Sequence, residues 1–325
     1  MDGNRKPVHW LSGDLKARFG GRVTKVALDV GGTCPNRDGS KGRGGCAWCD
    51  EGGSGPDGPD RLLPWREALE RGVKIALERG AVGAIAYFQA FTSTYAKADE
   101  ISILGEKSLS VPGVIGLAFG ARPDCLEEDV LDCLSGFRKR TFLWVEVGMQ
   151  TMHDSTLAAM NRGHSHAATE AACDMLQRRG IPFVLHLIAG LPGETKEMMR
   201  ASFDEAARLK PWGVKLHPLH VVKGSMLEAP YGRGELPLLE MGEYASLAAD
   251  MLERISPETT IHRLTGERPA GVLVAPAWCM EKRKVLAAIQ KELAARGSCQ
   301  GILAREDSPP RHQDTKGRIT GRTGR

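Results

Sequence analysis

Cys34, Cys46 and Cys49 fall within sixteen residues, in the stretch TCPNRDGSKGRGGCAWCDEGG. Three thiolates in one short glycine-rich loop suit metal chemistry better than packing. A closed zinc or iron–sulfur site takes four protein ligands. Three thiolates can hold a [4Fe–4S] cluster and leave one iron free for a small molecule. Cys46-Ala47-Trp48-Cys49 is a C-x2-C pair, with Cys34 twelve positions upstream of it. Such a pair alone is shared by zinc ribbons, redox motifs and iron–sulfur sites. Zinc would need a fourth donor, and this loop holds neither histidine nor a further cysteine. Cys125, Cys133, Cys173, Cys279 and Cys299 are distant and read as ordinary thiols, with Cys125 the one placed to complete a zinc site. A thioredoxin-type pair should open a helix, yet DEGGSGPDG follows Cys49.

The elements that must position these thiols alternate along the chain. VTKVALDV (23–30) is a short β-branched run ending directly before the cysteine loop. PWREALERGVKIALERG (64–80) carries Leu69, Val73, Ala76 and Leu77 at helical spacing. Apolar runs of strand length follow at 81–90, 114–124, 141–151, 182–194 and 213–222, separated by helical patterns such as 168–180 and 196–210. Near-continuously apolar strands between amphipathic helices indicate a parallel sheet covered by helices. Six such units up to Val222 predict an α/β fold, a partial (β/α)6 barrel. In a barrel, function sits where strands end. The cysteine loop, QAFTST, ARPD, GMQT, GLPGE and KGS all fall there, collecting polar residues and glycines on one rim. The spacing divides the chain into a lead-in (1–22), the barrel (23–225), an α/β extension packed on it (226–303) and a basic tail (304–325).

The formal net charge is +4, but the segment from Arg305 to Arg325 has six Lys/Arg against Glu306, Asp307 and Asp314. Most of the basic character therefore belongs to a Pro/Gly/Arg tail that cannot build a core and is expected to be disordered. A solvated tail is the plain reading and a weak nucleic-acid-binding arm the sharper one. No run of about 18 apolar residues exists, so a membrane span is not expected. MDGNRKPVHWLSGDLKARFG lacks an apolar signal core, which predicts a cytoplasmic protein whose eight cysteines are thiols or ligands.

TCPNRDG…RGGCAWC, YFQAFTSTYA, ARPDCL, VEVGMQTMHDSTLAAMNRGH, GLPGET and HRLTGE together resemble the YhcC-like family of radical S-adenosylmethionine (SAM) proteins. That family is similar in turn to the radical SAM domain of the elongator catalytic subunit. The likeness runs from about Trp10 to Gly301. The usual superfamily spacing is C-x3-C-x2-C with an aromatic residue before the last cysteine, a place held here by Trp48. The first gap is eleven residues. The resemblance implies a radical SAM barrel in which Cys34, Cys46 and Cys49 ligate a [4Fe–4S] cluster and SAM binds the remaining iron. It implies Trp48 beside the adenine, Gln89 or Thr92 at the SAM amino group, and Glu146 and Gln150 near the ribose and methionine moiety. Arg162 would pair with the SAM carboxylate, and the Gly190, Pro192 and Glu194 turn would pass close to the adenine. Glu146 and Gln150 could instead satisfy neighbouring barrel residues, Arg162 could be a surface cation, and GLPGET a simple turn with Thr195 capping a helix. His217 and His220 are candidate substrate contacts.

The function so implied is reductive cleavage of SAM to a 5′-deoxyadenosyl radical, with an electron donor of flavodoxin or ferredoxin type. The elongator likeness points to tRNA modification. A small-molecule substrate, as in the coproporphyrinogen-dehydrogenase branch, and a non-catalytic zinc module are the alternatives.

Overall fold

The computed structural model describes residues 8–50, 52, 53, 55, 62–266, 268 and 271–304. The expected basic tail beyond Ala304 lies outside the described residues. Six strands follow the predicted runs: β1 Val23–Leu28, β2 Gly83–Phe88, β3 Val114–Ala121, β4 Phe142–Gln150, β5 Phe183–Ala189 and β6 Gly213–Pro218. A two-residue β7, Val221–Val222, pairs antiparallel with β9, Leu273–Ala275. β8, Thr260–Arg263, joins β6 in parallel, so the main sheet has seven strands in the order β1-β2-β3-β4-β5-β6-β8. The seventh strand was not among the six expected units, because four residues ending in His262 and Arg263 carry no apolar run.

The helices are α1 Leu11–Phe19, α2 Trp65–Glu78, α3 Ala98–Leu109, α4 Glu128–Arg138, α5 Asp154–Ala159, α6 His166–Arg178, α7 Lys196–Arg208, α8 Glu228–Gly232, α9 Met241–Arg254 and α10 Lys282–Ala295. At least one helix joins each parallel pair, as parallel strands require. α2 shows why these crossovers form: Leu69, Val73 and Ala76 share one stripe and are buried. Such stripes cover the outer face of the sheet, where Leu117, Leu143, Val145, Leu185, Leu187, Val214 and Leu216 belong to one core cluster. That cluster runs on through Tyr244, Leu247 and Met251 of α9 to Ile289 and Leu293 of α10, so the barrel and its C-terminal extension share a core. The Tyr244 hydroxyl bridges Leu216 O at 3.2 Å and Leu264 O at 3.0 Å, tying α9 to the ends of β6 and β8.

The inner face is layered differently. Leu11 and Leu15 of α1 close one end against Ile85, Phe142, Trp144 and Val184. The segment before α1 runs beside β8, with Trp10 bridging Ile261 in parallel. Above this plug the strands turn polar side chains inward. Lys25 on β1 comes within 3.4 Å of Glu146 Oε1 on β4, and His262 on β8 within 3.9 Å of the same oxygen. Both edges of the sheet reach its central strand, which only a strongly curled sheet allows. The structure is therefore a partial parallel barrel, plugged below and open above.

Candidate functional site

The cysteine loop leaves β1 at the open end. Its eleven-residue first gap closes on itself. Cys34 O accepts from Arg37 N at 2.7 Å and Asp38 N at 3.1 Å, Pro35 O from Lys41 N at 2.9 Å, and Asn36 O from Gly45 N at 2.9 Å. The last of these bonds sets Cys46 beside the residues following Cys34, so the long gap costs no reach. Gly44 and Gly45 hold φ of +81° and +80°, a turn that side chains disfavour and that aims the chain at Cys46. Cys49 N then donates to Cys46 O at 2.9 Å, and Ala47 N to Met160 O at 2.9 Å. Asn161, itself at φ +50°, donates to Gly45 O at 2.7 Å and Arg43 O at 3.0 Å.

Three donors converge on the thiols. Arg162 Nη1 lies 3.5 Å from Cys46 Sγ, Asn36 Nδ2 3.9 Å from the same sulfur, and Arg122 Nη1 3.8 Å from Cys34 Sγ. Arg122 is buried and held from every side. Asp124 takes it bidentately at 3.0 and 3.1 Å, Arg162 O accepts from it at 2.9 Å, and its backbone N donates to Thr92 Oγ1 at 3.0 Å. Arg162 in turn donates to Gly148 O at 2.9 Å. A hydrogen bond from the Cys49 thiol, with the positive charge of Arg162 and Arg122, holds Cys46 well below the ordinary thiol range. Arginine beside a thiol favours the thiolate that a metal needs. Burial pushes Cys125 up to about 12, in keeping with a plain thiol.

The loop covers a cavity of about 310 Å³ that enters the barrel between Trp48, Cys49, Gln89, Phe91, Gln150 and Arg162. Gly120 and Gly148 keep its upper wall open; a Cβ on Gly148 would lie 2.7 Å from both Arg162 Nη2 and Gln150 Nε2. Phe91 and Gln150 take φ of +54° and +68°, so two of the four left-handed non-glycine residues among those described line this mouth. Strain of about 1–2 kcal/mol at such residues is tolerated where neighbours fix the geometry, typically at functional sites.

The cavity floor is a buried charged layer centred on Glu146, which is 1% exposed. Oε2 accepts from Tyr87 Oη at 2.5 Å, from His186 Nε2 at 2.9 Å and from Lys215 Nζ; Oε1 accepts from Trp144 Nε1 at 3.0 Å and Lys25 Nζ at 3.4 Å. Burial alone would raise this carboxyl. The ammonium groups of Lys215 and Lys25, and donation by His186, outweigh it and hold Glu146 well below the usual carboxylate range. Burial lowers His186 to about 4, and lowers His217 and His262 well below the ordinary imidazole value, so all three are neutral near pH 7.

Residues 31–206 match the model of the radical SAM superfamily, and residues 211–295 that of the radical SAM C-terminal domain. The chain belongs to the radical SAM superfamily. It is 40% identical over 299 residues to the uncharacterised protein YtqA of Bacillus subtilis, covering 91% of this chain and 92% of that one. It is 34% identical over 308 residues to protein YhcC of Escherichia coli, covering 94% and 98%. A tRNA uridine(34) acetyltransferase of Dehalococcoides mccartyi is 27% identical over 212 residues, 64% of this chain but 44% of that protein. Among solved structures, the archaeal Elp3 of Methanocaldococcus infernus superposes with a TM-score of 0.65 at 18% identity, covering 85% of this chain and 64% of that one. The likeness to Elp3 concerns the fold, and it agrees with a partial radical SAM barrel.

Radical SAM proteins use a [4Fe–4S] cluster and SAM, and the residues present fit that pair of groups. The cysteine loop offers three thiolates and neither a histidine nor a fourth cysteine, which suits a cluster with one open iron better than a tetrahedral zinc ion. Asn36 Oδ1 and Arg162 Nε are buried beside it without a hydrogen-bond partner among the described residues.

Of the residues the radical SAM likeness assigned to SAM, Trp48, Gln89, Glu146, Gln150 and Arg162 line the cavity with Cys49. Thr92, Gly190, Pro192 and Glu194 are not among its lining. Thr92 supports Arg122 from behind, and Glu194 accepts from Thr151 Oγ1 at 2.5 Å. Thr195 caps α7 by accepting from Met198 N, as the turn reading anticipates. Sequence reasoning missed Lys25, Tyr87, His186, Lys215 and His262, and left Arg122 and Asn36 unassigned. The signal was present: Lys25, Glu146 and His186 are each the lone charged or titratable residue of an otherwise largely apolar strand, and Lys215 shares β6 with His217 alone. An apolar strand face carrying one such residue at period two points it into the barrel.

Proposed function

We propose that this chain is a radical SAM enzyme that holds one [4Fe–4S] cluster through Cys34, Cys46 and Cys49 and binds SAM at the barrel mouth. The observation that carries the reading is a set of three sulfurs, flanked by two buried guanidinium groups, over a cavity that leads into the barrel. When bound, cluster and SAM supply a 5′-deoxyadenosyl radical by reductive cleavage of the sulfonium, with the electron drawn from a flavodoxin- or ferredoxin-type donor. Arg122 and Arg162 offset the negative charge of the thiolates. Trp48 covers the adenine side. Gln89 and Gln150 offer neutral amides to the amino-acid portion of SAM, and Arg162 stands between that portion and Cys46. Glu146, on this reading, reaches the ribose side through Tyr87 and His186, which it orients. Thr92 keeps Arg122 in place, and the turn containing Gly190, Pro192 and Glu194 backs the wall from outside. The apolar plug under the charged layer excludes water from below.

For the substrate we favour tRNA, supported by the likeness to the tRNA uridine(34) acetyltransferase. The depth of the cavity and its charged floor favour a second reading, a small molecule taken up whole. We place the chemistry in the cytoplasm; among the described residues no helix is long and apolar enough to cross a membrane. Anaerobic reconstitution should give a brown protein with about four irons that releases 5′-deoxyadenosine when reduced with SAM. A colourless protein with one zinc would overturn the reading. Nucleoside profiling of a deletion strain separates the substrates: loss of a modified nucleoside supports tRNA, and an unchanged profile supports the small molecule.

A further inference from the structure

The strand register places Arg263 of β8 directly beside Lys215 of β6. Neighbours across a parallel pair share a face, and Lys215 faces inward to Glu146 and to Tyr87 Oη at 3.3 Å. Arg263 therefore sits on the barrel's inner face, one strand further from the cysteine loop, and it lines the cavity together with His217 and His220.

Charge around it is unbalanced. Among the described residues, Glu146 is the one carboxylate in the cavity lining. Both of its oxygens are taken by five donors from β1, β2, β4, β5 and β6, and Arg263 is not among them. Three other cations of the lining are committed: Arg122 to Asp124, Arg162 to Gly148 O, and Lys215 to Glu146. Among the described residues the Arg263 side chain has no hydrogen-bond or ion-pair partner, although its charge bears on Tyr87, Lys215, His217 and His220 around it. The one N–H of a neutral His220 goes to Pro218 O at 3.2 Å, which leaves the neutral imidazole of His217 to add a donor. A half-buried guanidinium with five unengaged N–H donors beside that imidazole is an oxyanion cradle.

We infer that Arg263, with His217, binds an anionic group of the substrate, a carboxylate or a phosphate. This rests on the reading of the site as a radical SAM centre. It adds that the second molecule in the cavity carries an oxyanion anchored on the β6–β8 wall.

The test titrates inorganic phosphate and, separately, acetate into the reconstituted, SAM-saturated protein near neutral pH, by calorimetry. Wild type should show saturable binding of at least one probe. Arg263→Gln should weaken it by about tenfold or more, since a charged hydrogen-bond partner is lost. Arg263→Lys should retain part of it as a point charge. SAM affinity should be equal in all three proteins. Preference for phosphate marks a nucleotide-like substrate group, and preference for acetate a carboxylic acid; either supports the site. Absence of saturable binding, or binding untouched by Arg263→Gln, overturns it. So does displacement of SAM by phosphate with loss of SAM affinity in Arg263→Gln, because Arg263 would then hold the SAM carboxylate. Iron content of the same sample separates the two failures. A colourless protein that still binds phosphate through Arg263 sinks the cluster reading alone, and a brown protein that ignores both probes sinks the anion site alone.

Discussion

Glu146→Gln keeps the shape of the central side chain and removes the charge on which the cavity floor is built. The ammonium of Lys25 is partly in water, with 24% of its side chain exposed, whereas that of Lys215 is 4% exposed. The substitution therefore strands Lys215. Removing one partner of a buried ion pair costs about 3–5 kcal/mol, which predicts a fall in Tm of roughly 6–20 °C. The pH dependence has a defined sign. In wild type the carboxyl lies below its unfolded value, so its contribution is fully present above the ordinary carboxylate pKa of about 4.3 and fades as pH falls through the lower folded value. In Glu146→Gln, Lys215 is already pulled down by burial and loses the charge that opposed this. Folding then favours the neutral amine, so the deficit should shrink as pH rises from neutral toward the ordinary lysine pKa of about 10.4. Denaturant unfolding of wild type, Glu146→Gln, Lys215→Met and the double variant, followed by circular dichroism across that range, reads both effects. The double variant should recover part of the loss, since it leaves no stranded charge. A Glu146→Gln protein within about 1 kcal/mol of wild type, or a deficit that ignores pH, would refute an ionised Glu146 balanced by Lys215.

Cys34→Ser, Cys46→Ser and Cys49→Ser should each abolish most of the iron bound on reconstitution, while Cys125→Ser leaves it unchanged; iron analysis and the visible spectrum decide. Gly148→Ala should displace Arg162 from Cys46 and Gln150 from the mouth, because the new methyl would lie 2.7 Å from both. Overpacking of this kind costs about 1–3 kcal/mol, and slower cluster loading should accompany it. Leu15→Ala opens the apolar plug beneath Phe142 and Trp144 and should lose about 2–5 kcal/mol in denaturant unfolding with iron content preserved, since the plug touches no ligand.

The outer half of this barrel was legible in the sequence and the inner half was not, for one physical reason. Strand runs such as FLWVEVGMQ and GVKLHP read as continuously apolar because Leu143, Val145, Val147, Val214 and Leu216 meet the helices. The alternate positions, Trp144, Glu146, Gly148, Lys215 and His217, answer to a different environment across the same backbone. A hydrophobicity window averages the two faces and sees one strand; the pleat separates them. The cysteine loop was legible because its chemistry is local, whereas Arg122 and Asn36 gain their roles only where distant segments meet. β8 escaped notice on the same ground: with four residues, two of them facing a charged interior, it has no periodic signature of its own. What betrays such a layer is the electrostatic cost of its members taken singly. A lysine, a glutamate, a histidine and a second lysine, each the one charged or titratable group of its strand save for His217 beside the last, would each be costly to bury unpaired. They become acceptable only when the strands curl far enough to bring them together, so four separate violations of burial, one on each of β1, β4, β5 and β6, together require a closed inner face.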